Sequence, residues 1–324
     1  MAEKYLVVDV HHHHIPEGII RKMSKERPPG WKRGTEIESR LRLMDEAGVD
    51  MAVIEHAAAS LHGLDICREI NDGYAKIVHD YPKKFIPCVH IPLEGRLEVL
   101  DELERVVNEW GFRCVTLVSS TSKVTIDSEE LFPLWEKINR LDVPIFVHPS
   151  IRAPLWGGTK YNLSSHVSRE YDIAKATVEV MYGVLTKFPD LKFVMPHYGG
   201  GMPSLKGRIM AWFEPKDHRI PEDLKGLPKT PRELEKTGLD KAFEKLFGKL
   251  YFDTAGFGGW VPIVAAAVKV IRADRLCFGT DYPAEIHEAQ DVKAFIDNIK
   301  QLGILTEDKR NILGNNVRNL LKLK

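Results

Sequence analysis

Eight short apolar, β-branched runs recur along the chain, and each is separated from the next by a stretch with helical periodicity. The runs are YLVVDV (5–10), DMAVIEHA (50–57), KFIPCVHI (84–91), CVTLVSS (114–120), PIFVHPS (144–150), KFVMPHYG (192–199), KLYFDTAG (249–256) and RLCFGTDYP (275–283). Between them, segments such as IESRLRLMDEAG, LDICREINDGYAKIVHDYP, LEVLDELERVVNEWG and EELFPLWEKINRLD repeat apolar residues at helical spacing and end in turn residues. Strict strand–helix alternation implies an α/β protein whose parallel sheet is covered by helices. Eight such units in 324 residues predict a (β/α)8 TIM barrel, which ordinarily takes ~250 residues before insertions. An open doubly wound sheet would favour a glycine-rich phosphate turn after the first strand, and here histidines stand in that place. No internal repeat or low-complexity linker interrupts the pattern, so residues 1–324 read as one domain. It carries a charged, proline-rich insertion around 214–247 before strand seven and a closing helix over 306–322.

The apolar fraction of 44% is ample for such a core. Lys+Arg and Asp+Glu both total 46, so no net field favours nucleic acid or an anionic membrane, and a small-molecule partner is expected. Cys67, Cys88, Cys114 and Cys277 are scattered without a C-x-x-C pair, which excludes a zinc ribbon or a redox motif of that kind; all four read as reduced and mostly buried. No window approaches ~18 uninterrupted apolar residues, and no leader pattern precedes the first strand, so the expectation is a cytoplasmic enzyme with no membrane span.

The first strand runs directly into four histidines, VVDVHHHHIPEG, and leaves through Pro16 and Gly18. Alternation along an extended chain sends His11 and His13 to one side and His12 and His14 to the other, so only one pair can act together as ligands. Catalytic groups of a barrel sit at the C-terminal ends of its strands. His11 and His13 follow strand one, His148 ends strand five, His197 ends strand six and Asp281 follows strand eight, all on the same rim. Imidazole with carboxylate suits zinc or a similar divalent ion, manganese being possible. His11, His13, His148 and Asp281 are the expected ligands, with a water completing a five-coordinate site. His197 is expected to hydrogen-bond that water or a substrate oxygen and to pass protons. His56 and His90 read as satisfied core residues, and His12, His14, His62, His79, His166, His218 and His287 as solvated or supporting groups. Asp9 and Asp253 could orient ligands or merely stabilise strand ends, and both stay outside the core site.

DVHHHHIP resembles the D-x-H-x-H-x-x-P opening of the amidohydrolase superfamily. RLRLMDEAGVD, ELFPLWEKINRLDVPIFVHPS, GVLTKFPDLKFVMPHYGGGMPSLKGR, LYFDTAGF, LCFGTDYP and EDKRNILGNNVRNLL resemble, in order and spacing, its amidohydrolase-related branch containing aminocarboxymuconate-semialdehyde decarboxylase. The resemblance covers nearly the whole chain. It implies His11, His13, His148 and Asp281 as metal ligands and His197 as the group that activates a metal-bound water. It also implies that Arg208, eleven residues beyond His197, reaches a substrate carboxylate across a homodimer, a task guanidinium suits because it grips carboxylates bidentately. Four departures stand out. Residues 17–38 are short and offer only unmatched candidates, Lys32 and Arg33, in place of a further substrate arginine of the branch. HYGGG replaces H-G-G-G, and DYPAEIHE lacks an apolar continuation. CVTLVSS has no lysine for a carbamylated bridging ligand, which implies one metal ion rather than two.

Two reactions fit the same five residues. One is non-oxidative decarboxylation of an unsaturated or aromatic carboxylic acid, with proton delivery assisted by His197 or Asp281; the resemblance and Arg208 favour it. The alternative is hydrolysis of a lactone, ester or amide by the same metal-bound water. A non-catalytic metal-binding protein is the third class. Trp156 in RAPLWGGTKYN (152–162), with Trp31 and Tyr161, is the expected aromatic contact for a planar substrate.

Overall fold

A computed structural model describes residues 5–23, 31–150, 160–213 and 242–323. Eight strands, β1 (Val8–His13), β2 (Met51–Glu55), β3 (Phe85–His90), β4 (Cys114–Val118), β5 (Ile145–His148), β6 (Phe193–Met195), β7 (Tyr251–Asp253) and β8 (Leu276–Cys277), lie in sequence order in one sheet. Every neighbouring pair is parallel. Val10 N donates to Phe278 O (2.9 Å) and His13 N to Tyr282 O (2.7 Å), which joins β1 to the β8 segment and brings the sheet round into a barrel. The (β/α)8 architecture expected from the alternation is therefore the one observed.

Among the described residues, eight longer helices form the outer ring: α1 (Ile37–Ala47), α2 (Leu64–Asp80), α3 (Leu97–Trp110), α4 (Phe132–Leu141), α5 (Arg169–Glu179), α6 (His197–Phe213), α7 (Val261–Ile271) and α8 (Ala289–Gln301). The helix α3 illustrates why these segments are helical. Val99, Leu103 and Val106 recur at helical spacing and are fully buried, and Gly111 stops the helix in a left-handed conformation with its N–H on Val107 O. Burying each such side chain contributes roughly 1.5–3 kcal/mol.

Inside the barrel, Val8, Val10, Val53, Ile86, Cys88, Cys114, Phe146, Val194 and Cys277 pack together, and Val317, Leu320 and Leu321 of the closing helical segment join the same cluster. That segment is helical from Thr306 to Leu320 with one wide turn at Asn311–Asn315. All four cysteines are free and buried, as expected. Of the 214–247 insertion, residues 214–241 lie outside the described residues, and Phe243–Phe247 forms a short helix. Among the described residues no helix is long and apolar enough to cross a membrane.

Strands six to eight are two or three residues long, shorter than their apolar runs. The reason is local. Past the last ladder pair the chain turns over the barrel mouth, and the residues that follow carry polar groups inward instead of pairing.

Candidate metal centre

Period-two alternation continues the barrel interior into a polar layer at the mouth. Two residues beyond the interior positions Val53, Cys88, Cys114, Phe146 and Tyr251 stand Glu55, His90, Thr116, His148 and Asp253, and four beyond Cys277 stands Asp281. All six are buried. In β1 the register shifts between Asp9 and His12. This irregularity lets His11 and His13 face the same interior as Val8 and Val10, because one extra residue reverses which side chains point inward.

The five rim residues named from the sequence meet. Ring centroids are 5.0 Å apart for His11 and His13, 5.0 Å for His13 and His148, 5.4 Å for His11 and His148, and 5.4 Å for His11 and His197. Asp281 Oδ1 lies 2.8 Å from His13 Nε2 and 3.7 Å from His11 Nε2, and Oδ2 lies 3.9 Å from His197 Nε2. Asp9 helps bring Asp281 there: its carboxylate accepts from Thr280 N (3.1 Å) and Thr280 Oγ1 (2.6 Å), tying β1 to the residue before Asp281. Asp9 also accepts from His12 Nδ1 (2.8 Å), so it braces the strand end.

Each of the four rim histidines has an acceptor at Nδ1, which turns Nε2 toward the shared space. Asp253 Oδ2 accepts from His11 (2.8 Å), Pro149 O from His148 (2.9 Å) and Glu170 Oε1 from His197 (2.7 Å), while Glu55 Oε1 touches His13 Nδ1. Acceptors of this kind fix tautomer and ring orientation in metal sites. Asp253 Oδ1 also accepts from His197 N (2.8 Å), so one carboxylate orients His11 and positions the chain at His197. There the backbone is left-handed, with His197 and Tyr198 at φ 54° and Gly199–Gly201 following at 70–82°. A Cβ at Gly200 would stand 2.2 Å from Glu170 O, and only glycine lets the start of α6 approach α5 closely enough to bring Glu170 to His197.

Opposed charges dominate the protonation states. Burial would lower the His13 pKa, but Glu55 and Asp281 outweigh it and raise it to about 10. His197 is raised to about 9 against burial by Glu170 and Asp281. His11 is raised by Asp253 and Asp281 against burial. Burial, reinforced by His13 and His11, holds His148 well below the ordinary histidine value, so it offers a lone pair. Burial would raise Asp281, but His13, His11 and His197 hold it below the usual carboxylate range.

Three observations bear on a divalent cation. His11 Nε2, His197 Nε2 and Asp281 Oδ1 are buried and make no hydrogen bond. Ligands about 2.1 Å from an ion are separated by about 3.0 Å at right angles and at most about 4.2 Å, and the 2.8 and 3.7 Å separations at Asp281 suit that geometry. Among the described residues no lysine or arginine pairs with Glu55, Asp253 or Asp281, whose partners are histidines. Buried carboxylates in this number are expensive without a compensating cation. The donor atoms fall into two overlapping groups, His11, His13, Glu55 and His148, and His11, His197 and Asp281, each within 4.8 Å. The residues fit a divalent ion.

The remaining sequence expectations divide. His90 is a satisfied core residue, accepting from His56 N at Nε2 (2.8 Å) and donating from Nδ1 to Cys88 O (3.0 Å). His56 is not: it is half-buried, with its ring 6.2 Å from that of His13. His12 and His14 are buried rather than solvated, packed on Tyr282 and Tyr74, while His62, His79, His166 and His287 are exposed. Arg33 pairs with Glu288 on the surface (3.0 Å), Tyr161 is 78% exposed, and Arg208 is exposed on α6. Trp156 and His218 lie outside the described residues, as does the Trp31 side chain. Sequence reasoning missed Glu55, Thr116 and Glu170 and left out Asp253.

A family model described as Amidohydrolase matches residues 8–323. The chain is 28% identical over 304 residues to the gamma-resorcylate decarboxylase of Polaromonas sp., an alignment covering 88% of this chain and 87% of that protein. It is 25% identical over 352 residues to the 2-amino-3-carboxymuconate-6-semialdehyde decarboxylase of Dictyostelium discoideum, covering 98% and 92%. The crystal structure of a 2,6-dihydroxybenzoate decarboxylase complexed with 2,6-dihydroxybenzoate superposes with a TM-score of 0.77 at 25% identity, over 99% of both chains.

Proposed function

The chain belongs to the amidohydrolase family, and from that premise we propose that it is a metal-dependent, non-oxidative decarboxylase of an aromatic or unsaturated carboxylic acid. The observation that carries the reading is that His11, His13, His148, Asp281 and His197 gather at one barrel mouth in two overlapping donor groups that share His11, in a chain related along most of its length to decarboxylases of such acids.

In this reading His11, His13, His148 and Asp281 hold one divalent ion; the imidazole-rich donor set favours zinc, with manganese the other candidate. The ion, when bound, supplies a fixed positive charge that holds a substrate oxygen and draws electron density from the substrate. The chain's own residues handle the proton. Glu170 holds Nδ1 of His197, leaving Nε2 to deliver a proton to the carbon that bears the carboxylate. The bond to the carboxyl carbon then breaks, its electron pair returns to the ring or alkene, and CO₂ leaves. No change of oxidation state is needed. Asp281 faces His197 Nε2 at 3.9 Å and stabilises positive charge on that ring.

Arg208 is exposed on the helix that begins at His197. We assign it, with the homodimer that its match implies, to gripping the carboxylate of a substrate in the partner's site; a monomer by light scattering at micromolar concentration would overturn that assignment. Trp156 is retained as the aromatic substrate contact. The deciding experiment loads the protein with Zn²⁺ or Mn²⁺ and screens carboxylated phenols, muconate-type acids and lactones, reading CO₂ and acid release separately. CO₂ from an aromatic or unsaturated acid is the expected result. Acid release from lactones without CO₂ would make the same centre a hydrolase and overturn the proposal.

A further inference from the structure

We propose that Glu55, at the end of β2, is an additional anionic component of the metal centre that acts through His13 as a positioning residue. The inference rests on the metal-centre reading above but goes beyond its four ligands.

The His13 ring lies between two carboxylates. Nε2 faces Asp281 Oδ1 at 2.8 Å, and Nδ1 touches Glu55 Oε1. A neutral imidazole carries one ring proton, so both nitrogens cannot donate to carboxylates unless the ring is cationic. An ion taking the Nε2 lone pair would replace one proton of that cationic ring: the remaining proton then sits on Nδ1, toward Glu55, and Asp281 becomes a neighbouring ligand.

Glu55 is built to stay where it is. Its Oε2 accepts from Ala57 N (2.7 Å) and from Thr116 Oγ1 on β4 (3.2 Å), and the residue is 3% exposed. Oε1 is buried and makes no hydrogen bond of good geometry, and Glu55 belongs with His11, His13 and His148 to a group whose ligand atoms lie within 4.8 Å of one another. No lysine or arginine pairs with Glu55 among the described residues; its charge is faced by imidazoles. That charge is fixed in place beside the rings that would hold an ion, so a divalent cation bound among them would meet a carboxylate already oriented toward the site. The chain lacks a strand-four lysine, and Glu55, reaching from β2 between His13 and Thr116, supplies carboxylate charge on that side of the mouth.

The test is Glu55→Gln, which keeps shape and removes charge. Chelator-stripped wild type and variant are titrated with Mn²⁺ and with Zn²⁺ against a chromophoric chelator, and the stripped proteins are also unfolded thermally. We expect a 10- to 100-fold weaker affinity, the usual effect of losing an outer partner of a ligating histidine, measured at a temperature where the stripped variant is still fully folded; the stripped unfolding midpoint itself falls, because the variant also loses the Glu55–His13 contact. A purely structural role would lower that midpoint and leave the affinity of the folded variant unchanged. Wild-type affinity in the folded variant overturns the inference alone. Should Glu55→Gln fail to fold, Thr116→Val loosens the carboxylate without removing it, and a several-fold weaker affinity is expected; unchanged affinity overturns the inference. If wild type takes up no divalent ion, the metal-centre reading falls and takes this inference with it.

Discussion

Replacing Asp253 by asparagine changes one oxygen to an amide nitrogen and leaves volume and shape alone, yet no orientation of the new side chain satisfies its neighbours. The carboxylate accepts at both ends: Oδ2 from His11 Nδ1 (2.8 Å), Oδ1 from His197 N (2.8 Å) and Ala255 N (3.1 Å). If the amide nitrogen faces His11, the ring must turn to the tautomer with its proton on Nε2, and the lone pair that faces Asp281 is lost. If it faces His197 N, two donors oppose each other in a site that is 3% exposed. The first arrangement is cheaper because it leaves both backbone donors paired. We therefore expect Asp253→Asn to fold and to bind Mn²⁺ or Zn²⁺ about 10- to 100-fold more weakly, equivalent to about 1.4–2.8 kcal/mol. Asp253→Ala is the harsher comparison. It strands two buried N–H groups at about 1–3 kcal/mol each, so its stripped form should also lose stability by roughly 2–6 kcal/mol. Competition with a chromophoric chelator gives the affinities and thermal unfolding the stabilities. Wild-type affinity in Asp253→Asn would refute the claim that the Nδ1 acceptors set the ligating tautomer.

Three other perturbations probe separate parts of the same picture. A Cβ at Gly256 (φ +83°) would stand 2.3 Å from Cγ of His197; Gly256→Ala should displace that ring by roughly 1 Å and cost on the order of 100-fold in turnover while leaving metal stoichiometry unchanged by elemental analysis, and wild-type turnover would remove His197 from the chemistry. In chelator-stripped protein the raised pKa values of His13 (about 10) and His197 (about 9) contribute stability below the unfolded histidine value. That contribution is lost as pH rises through the folded values, so the stripped unfolding midpoint should fall between about pH 7 and pH 10, whereas metal-loaded protein should show a shallower decline; parallel profiles would count against His13 as a ligand. Finally, all four cysteines are buried, and burial pushes the Cys67 and Cys277 thiols up. An aromatic disulfide reagent at pH 8 should titrate no thiol in the native protein and four after denaturation, and rapid native reaction of any thiol would contradict the packing of the barrel interior.

How much of this was legible depended on what kind of regularity each residue obeys. The barrel was readable because its pattern is repetitive, and the rim histidines with Asp281 because each ends an apolar run. Glu55 obeys the same rule: in DMAVIEHA it stands two residues after Val53, as His148 stands two after Phe146. Extending the inward alternation of every strand by one step, rather than looking for histidine, would have found Glu55, Thr116 and Asp253 together. It would also have separated His90, which faces inward, from His56, which does not share that parity. Glu170 obeys no such rule. It sits at the start of α5, 27 residues before His197, and its approach depends on the left-handed turn at Gly199–Gly201 that brings two helix ends together. Asp253 is 242 residues from the ring it orients. The groups that would touch a metal ion are thus fixed by strand position, which a sequence displays. Which ring each of Glu55, Asp253 and Glu170 orients is fixed by closure of the barrel, which it does not, and for that reason the substitutions most informative about this centre lie at Asp253, Glu55 and Gly256 rather than at the ligands themselves.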